Sequence, residues 1–404
     1  MSRFQYSAVV VDLNSTSIQA SLSSKDTPDV SIAPVYSSGG SASGTAKQNY
    51  VFDPILPQDD SDELYTLFSE GIFYNSNATA PLLNHLYESL NLSSDSFKEL
   101  PLAIAQNAWF DKKQLATFSE IVFEELEVPI FSMLERQLCT AYAMSKPNNC
   151  IIVDFENDYL SVTPISNGKV IRKGICKSPF AGNYLNLFIN DYFQKRGVQE
   201  SDLLPVDYSK LSNIDKISSS FRNFAVSQTL DDFKKSILDI SPSSIDGKIF
   251  KTPNNAKSVT VERLEQINSF IQPIFKPYES YTNTFGSSVS IPSSITPESE
   301  GLGQLIFKSL KNIGGPNQIY SDLLNNLIIQ GDMSFIPGLE EAVLGDLRLY
   351  IKDYQISSYL NQDNMDRGIE TWIGANILSK FEDLYFSRQS YLENGSDAVS
   401  SRFV

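Results

Sequence analysis

Amphipathic stretches alternate with short runs of branched apolar residues along most of the chain. In residues 111–127, DKKQLATFSEIVFEELE, apolar side chains recur at helical spacing behind an N-cap at Asp111, and they are Leu115, Phe118, Val122 and Leu126. Residues 183–197, NYLNLFINDYFQKRG, repeat the pattern and end in a basic pair and Gly197, as helices commonly do. Their apolar face consists of Leu185, Phe188, Ile189, Tyr192 and Phe193. Strands that alternate with such helices predict an α/β chain.

One pattern occurs twice. AVVVDLNSTSIQASL (residues 8–22) and CIIVDFENDYLSVTPI (residues 150–165) each contain three branched apolar residues, an aspartate (Asp12 and Asp154), a polar turn and a second apolar run. Each predicts a β-hairpin with a carboxylate at its tip, and the repeat indicates two lobes of similar design. The alternative is that two unrelated strands both end in aspartate, which is a common turn residue.

The length, net charge and apolar runs of the chain exclude several classes of protein. The chain has 404 residues, more than one compact core usually holds, so we expect two lobes. Its formal net charge is −16, with no Lys/Arg cluster of the kind that follows a phosphate backbone, so we expect no direct nucleic-acid contact. No apolar run approaches the roughly 20 residues of a membrane span, and the opening MSRFQYS lacks a secretory apolar stretch. We therefore expect an intracellular protein without membrane contact.

Histidine and cysteine are scarce, which limits the available chemistry. The single histidine, His85, lies in the helix-like stretch LLNHLYESL, where we expect a half-buried residue rather than a catalytic or metal-binding one. The three cysteines, Cys139, Cys150 and Cys176, have no CxxC spacing, and we interpret the first two as buried thiols in a reducing compartment. We expect no metal site and no catalytic residues.

Two segments lack core-forming residues. Ser37–Lys47, SSGGSASGTAK, is typical of a flexible loop, and Phe285–Gly301 is rich in serine and proline.

Taken in order, these segments resemble actin and the actin-related proteins over nearly the whole chain. The segments that carry the resemblance are VVVDLNSTSIQASLSSKDTP, EGIFYNSNATAPLLNHLY, FEELEVPIFSMLERQLCTAYAMSK, GKVIRKGICKSPFAGNYLNLFI, IIQGDMSFIPGLEEAVLGDL and the C-terminal residues 371–404. The resemblance implies an actin-like α/β fold, with two duplicated ribonuclease-H-like lobes and four subdomains around a central cleft. By this resemblance the outer lobe comprises residues 1–144 and 369–404, with a small subdomain at about 34–70. The inner lobe comprises residues 145–368, with its own subdomain at about 181–297.

Within the family, the chain is most similar to the divergent actin-related subunits of fungal Swi/Snf and RSC chromatin remodellers, in particular the type-seven subfamily. This similarity implies a nuclear, non-catalytic, architectural subunit. Its implied partners are the helicase-SANT-associated helix of the remodelling ATPase, a second actin-related protein in a heterodimer, and a small stabilising subunit. Two alternatives remain open, namely a nucleotide-binding cytoskeletal ATPase and a free chaperone-like or storage monomer.

The resemblance also locates a degenerate nucleotide cleft. Its implied residues are Asp12, Asn14, Ser15, Gln19, Asp154, Gly182, Lys234, Gly331 and Ser334. The phosphate turns have lost the glycines that let backbone N–H groups approach phosphate. Gln19 replaces the phosphate-binding lysine, the second turn gains Glu156 and Asp158, and Asp332 replaces a glycine of the adenosine loop. Arg136 aligns with the water-orienting glutamine, with Gln137 expected on a different helical face.

We therefore expect no hydrolysis and no required cofactor, with weak ATP binding left open. Asp12 and Asp154 either bind a metal through water or only form turns. Lys234 either contacts a nucleotide or is a solvated helix residue.

The family's partner groove maps to Tyr142, Ala143, Lys169, Leu378 and Phe381. Such a groove takes an amphipathic helix, and an acidic chain complements a basic one. The alternative for the apolar members is ordinary core. The stretch that corresponds to actin's DNase-binding loop is shortened and acidic, so we expect no filaments.

Overall fold

Two mixed sheets organise the fold, and each is built on one of the two predicted hairpins. The computed structural model describes residues 7–38, 50–54, 56–57, 62–209, 217–286, 291–359 and 366–403. Its strands in chain order are β1 Val9–Leu13, β2 Ile18–Leu22, β3 Val30–Ile32, β4 Val35–Ser38, β5 Val51–Phe52, β6 Glu63–Thr66, β7 Phe68–Ser69, β8 Ile72–Phe73, β9 Leu102–Gln106, β10 Ile130–Glu135, β11 Asn149–Phe155, β12 Leu160–Ser166, β13 Lys169–Val170, β14 Cys176–Ser178, β15 Lys248–Lys251, β16 Ser258–Val261, β17 Leu327–Gln330 and β18 Phe386–Ser387.

The helices surround these sheets. They are α1 Thr79–Ser89, α2 Lys112–Glu120, α3 Arg136–Ala143, α4 Gly182–Lys195, α5 Glu200–Leu203, α6 Val206–Ser209, α7 Ser219–Ile237, α8 Arg263–Glu265, α9 Gln272–Phe275, α10 Pro277–Phe285, α11 Leu302–Ile313, α12 Asn317–Leu324, α13 Leu339–Tyr350, α14 Glu370–Leu378 and α15 Arg388–Phe403. Gly395 (φ +74°) kinks α15. Among the described helices, none has the length and apolar character needed to cross a bilayer.

The two large sheets have related topologies. The first has the order β18-β10-β9-β1-β2-β3, with β1, β9 and β10 parallel. The second has the order β13-β12-β11-β17, with β14 also beside β12 and with β11 parallel to β17. In each sheet a hairpin is extended by a parallel strand, β1–β2 by β9 and β11–β12 by β17. The α/β class and both predicted hairpins are confirmed, whereas the lobe boundaries given above stay a prediction.

Alternation along β1 and β11 directs the two aspartates away from the main cores. Val9, Val11 and Leu13 pack into one core, so Asp12 lies on the opposite face with Val10. The same register applies to β11, where Ile151, Val153 and Phe155 pack into the other large core. Both acidic side chains therefore lie on the faces of the two sheets that meet α3.

The aspartates do not lie at the hairpin tips, contrary to the sequence prediction. Asp12 pairs with Gln19 in the β1–β2 ladder, and Asp154 pairs with Ser161 in the β11–β12 ladder. Each strand continues for one more residue because Leu13 and Phe155 pack into the apolar cores. The tips are residues 14–17 and 156–159.

The predicted helices are confirmed. Asp111 caps α2 by accepting a hydrogen bond from the backbone N–H of Gln114 at 2.7 Å, and the chain continues through a π-helical turn to Glu125. All of the predicted apolar side chains in α2 and α4 are buried. Gly197 follows α4 with φ +73°, a conformation that favours glycine.

The scarce residues are also placed as predicted. His85 is half-buried on α1, with its ring 5.3 Å from that of Phe52. Cys139, Cys150 and Cys176 are buried free thiols. Of the predicted flexible loop Ser37–Lys47, residues 37 and 38 belong to β4 and the remainder lies outside the described residues.

Candidate functional site

The N-terminus of α3 places a buried arginine between the two hairpins. Arg136 Nε donates to Asp12 Oδ1 at 2.7 Å, and its Nη1 lies 3.5 Å from Asp154 Oδ2. Nη1 also donates to the Tyr159 hydroxyl at 3.1 Å, and this hydroxyl donates to Asp154 Oδ2 at 2.8 Å. The Arg136 side chain is only 3% exposed. Asp12 and Asp154 are therefore both partners of Arg136.

Gln137 joins the same cluster, which corrects its expected position on a different helical face. Its Nε2 donates to Asp154 Oδ2 at 3.2 Å and to Asn107 Oδ1 at 2.8 Å. The chain turns from the extended Glu135 into α3 at this point, so the first two side chains of the helix both reach the carboxylate. Asn107 and Tyr159 were missed from sequence. Asn107 follows the carboxyl end of the parallel strand β9, and that position is a general signal for a site residue.

The tips of the two hairpins are bonded directly to each other. Asn14 Nδ2 donates to Glu156 Oε1 at 2.8 Å, and Thr16 Oγ1 donates to Glu156 Oε2 at 2.7 Å. Ser15 Oγ donates to Asp158 Oδ1 at 2.5 Å. The side chains of the two turns thus link the two hairpins directly.

Burial and mutual repulsion control the protonation of this cluster. Burial, with Asp154 nearby, raises the pKa of Glu156 to about 8. Burial also raises the pKa of Asp12, although Arg136 opposes that shift. Burial alone would lower the pKa of Arg136, but the surrounding acidic groups and the Tyr159 hydroxyl raise it well above its usual range. The cluster therefore keeps its cation and favours a proton on a carboxyl group.

Lys234 forms a second buried centre. Its Nζ lies 2.8 Å from Asp231 Oδ1 and donates to Asn157 Oδ1 at 2.9 Å and to the Gly182 carbonyl at 3.0 Å. Its side chain is 0% exposed, so the interpretation of Lys234 as a solvated helix residue is wrong. Burial lowers its pKa, with Asp231 opposing. The ammonium is thus engaged entirely by protein groups.

Close backbone approach explains the retained glycines. A Cβ atom at Gly182 would lie 2.3 Å from Asn157 Oδ1. Gly331 has φ +90°, and a Cβ atom there would lie 2.5 Å from the Phe155 carbonyl oxygen. Both glycines therefore serve the packing of the second hairpin, whatever else they contact.

The remaining predicted cleft residues have protein partners. Gln19 Nε2 donates to the Gly368 carbonyl at 2.7 Å. The Ser334 carbonyl accepts from Arg367 Nη1 at 2.9 Å, and Asp332 Oδ2 lies 2.9 Å from Lys235 Nζ. Many polar groups of the predicted residues thus engage one another or nearby protein groups, whereas Gln19 Oε1, Asp154 Oδ1 and Ser334 Oγ are buried and have no hydrogen-bond partner among the described residues.

The side chains between the hairpins leave little room for a magnesium nucleotide. The cavity there has a volume of about 40 Å³, enough for a few water molecules, whereas ligand pockets measure about 300–1,000 Å³. A larger cavity of about 370 Å³ opens at the mouth of the cleft, but its charged lining residues are acidic, namely Glu70, Asp158 and Asp231. In the part of the chain that the structure describes, no group of three or more His, Cys, Asp or Glu is arranged to hold a metal ion.

The predicted partner groove is in part a surface and in part core. Tyr142 and Phe381 are half-buried against one apolar cluster around Trp372, whereas Leu378 is 4% exposed and belongs to that core. Ala143 is half-buried, and Lys169 is exposed on β13. Gly168, beside Lys169, approaches the Tyr142 hydroxyl, which a Cβ atom would meet at 3.9 Å. Half-buried apolar residues that sequence reasoning missed on this surface are Ile373, Leu384 and Tyr385.

Comparison with known proteins agrees with this architecture. The chain is 26% identical over 332 residues to the SWI/SNF and RSC complexes subunit arp42 of Schizosaccharomyces pombe, which covers 74% of this chain and 76% of that protein. It is 25% identical over a 431-residue alignment to Actin-related protein 7 of Saccharomyces cerevisiae, and this alignment covers 87% of this chain and 88% of that protein. It is 24% identical to Actin-related protein 4 of Yarrowia lipolytica, covering 85% and 80%. The family model described as actin matches residues 4–404, and the chain therefore belongs to the actin family.

Proposed function

We propose that this chain is a non-catalytic, architectural subunit of a nuclear chromatin-remodelling complex of the SWI/SNF or RSC type. Support comes from a relative whose name places it in those complexes and from further relatives named actin-related proteins. The observation that carries the non-catalytic part is the direct bonding of one hairpin tip to the other, Asn14 and Thr16 to Glu156.

The contacts of the side chains in the cleft are evidence against phosphoryl transfer. Phosphoryl transfer needs donors and cations directed at the phosphates and a group that orients the attacking water. Here Arg136 is engaged by Asp12 and Asp154, and Arg367, which lines the same cavity, donates to the Ser334 carbonyl. Gln137 is engaged by Asp154 and Asn107, and Lys234 by Asp231. The described cations at the centre are thus engaged by protein groups.

The partner in this proposal is a basic amphipathic helix, the helicase-SANT-associated helix of the remodelling ATPase. Tyr142 and Phe381 would contact its apolar face. Exposed Glu382 and Asp383, directly after Phe381, would complement its basic face, as does the chain's net charge of −16. By holding this helix rigid, the subunit would couple ATP turnover to DNA translocation.

The resemblance also supports a second actin-related protein in a heterodimer and a small stabilising subunit. We assign no residues to either contact. Nuclear location follows from the same proposal, since the partners act on chromatin.

The experiment is a gentle purification of the tagged chain at its endogenous level, followed by identification of proteins recovered in near-equal amounts. We expect a Swi/Snf-type ATPase and a second actin-related protein. Phe381→Glu should reduce recovery of the ATPase, and Leu264→Glu, which changes an exposed leucine of α8, should not. Recovery of the chain alone, or with cytoskeletal motors and cappers, would contradict the proposal. ATP turnover by the pure chain would favour the cytoskeletal ATPase instead.

A further inference from the structure

Arg136 is the only described side chain whose cationic group contacts carboxylates of both hairpins. Its Nε lies 2.7 Å from Asp12 on β1, its Nη1 3.5 Å from Asp154 on β11, and its Nη2 4.0 Å from Glu156 at the second tip. A buried charge is costly unless it is paired, so this arrangement is the electrostatic centre of the contact between the two sheets.

A planar guanidinium suits this position better than a point charge. Its donors project in a fixed fork, so one side chain can address carboxylates that approach from different directions. The carboxylates reached by Arg136 belong to two separate sheets, which a lysine ammonium at one position would not bridge with the same geometry. Around this ion cluster, Asn14, Ser15 and Thr16 add hydrogen bonds to the opposite tip.

We propose that the guanidinium of Arg136 is a built-in counter-ion that closes this cleft in place of a magnesium nucleotide, so that the two hairpins stay joined with no ligand bound. The small space between the tips agrees with this role. Protein side chains fill it, and a cavity of about 40 Å³ remains. The inference concerns this chain by itself and does not depend on the remodeller assignment.

The arrangement of charges around Arg136 supports the same role. The cluster contains one cation and three carboxyl groups, those of Asp12, Asp154 and Glu156, and each carboxyl lies within 4.0 Å of a guanidinium nitrogen. Removal of the guanidinium leaves these three buried carboxyl groups without their cation, and an unpaired buried charge is destabilising. A chain that lacks this arginine should therefore be less stable than the wild-type chain.

The experiment measures thermal unfolding of the full chain, alone, with magnesium ATP and with magnesium chloride. We expect the wild-type midpoint to be unchanged by either addition. Arg136→Gln should unfold several degrees lower. Arg348→Gln is the matched control, because Arg348 is exposed on α13. It should cause only a small change.

The opposite results overturn the inference. A wild-type chain stabilised by magnesium ATP, or an Arg136→Gln variant that is as stable as wild type, would each do so.

Should Arg136→Gln fail to fold, hydrogen exchange of the wild-type chain decides the question. Amides of residues 14–17 and 156–159 should exchange slowly without ligand and at the same rate with magnesium ATP. Fast exchange that slows on addition of magnesium ATP would contradict the built-in closure.

Discussion

The side-chain amide of Asn14, at the tip of the first hairpin, donates to the Glu156 carboxylate at the tip of the second, at 2.8 Å over a separation of 142 residues. The bond joins the two sheets at the position where an actin-type cleft would hold phosphate. Because a glutamate at this position repels phosphate but accepts from an amide, the substitutions in the two turns are complementary to each other. They form an internal contact between the two hairpins.

Asn14→Ala removes this donor and leaves a buried carboxylate oxygen with one partner fewer. We expect a loss of about 1–3 kcal/mol in the free energy of unfolding, which is the penalty for an unsatisfied buried polar group. Urea denaturation measures it. Asn394→Ala is the control, because the Asn394 side chain is exposed and bonds only within its own helix, to the Ser390 carbonyl. Equal losses for the two variants would show that the bond between the tips has no special role.

Lys234→Met removes the ammonium from a site with a carboxylate, an amide and a carbonyl as partners. Breaking a fully buried ion pair costs about 3–5 kcal/mol, and we expect somewhat less here because the Asp231 side chain is 19% exposed. The double variant with Asp231→Asn should recover part of the loss in equilibrium unfolding. Lys235→Gln is the control. Lys235 is 43% exposed and pairs with Asp332, so about 0–1 kcal/mol is expected.

Gly182→Ala places a methyl group 2.3 Å from Asn157 Oδ1 and 3.0 Å from its Cα. We expect destabilisation of about 1–3 kcal/mol, because the second hairpin must move away from α4. Gly345→Ala, inside α13, meets no atom within 4 Å and should stabilise by about 0.5–1 kcal/mol through helix propensity. Opposite signs for the two alanine variants in thermal or urea unfolding would confirm that Gly182 is needed for close approach.

Stability should fall as the pH rises from about 5 to about 8. The pKa of Glu156 is about 8 in the folded chain, above its usual value of 4.5, so the folded state binds more protons than the unfolded state between these values. Asp12 has a raised pKa and contributes with the same sign. Charged groups that face Glu156 are Arg136, Asp154 and Asp332.

Glu156→Gln carries no titrating proton and should weaken this pH dependence while raising stability at pH 8. Urea midpoints at both ends of the range measure the effect. Glu120→Gln, an exposed position on α2, should leave the pH profile unchanged. A wild-type stability that rises over this range would contradict the protonation of the cluster.

The pattern of apolar and polar residues was sufficient to predict those strands and helices that depend on residues close together in the sequence. Runs of three branched apolar residues predicted β1 and β11, helical spacing behind Asp111 predicted α2, and Gly197 marked the end of α4. These inferences depend on neighbours within a few residues, which sequence shows directly.

What the sequence left undecided about Asp12, Gln137 and Lys234 was settled by contacts between distant segments. Asp12 meets Arg136 across 124 residues, and Lys234 meets Asn157 across 77. An isolated lysine on an amphipathic helix looks the same in sequence whether it is solvated or buried, because burial depends on what packs against it. The sequence alone thus determined the class of fold. Only the tertiary structure decided that the altered turns bind each other around Arg136, since the free energy of a buried charge is set by partners that folding brings together.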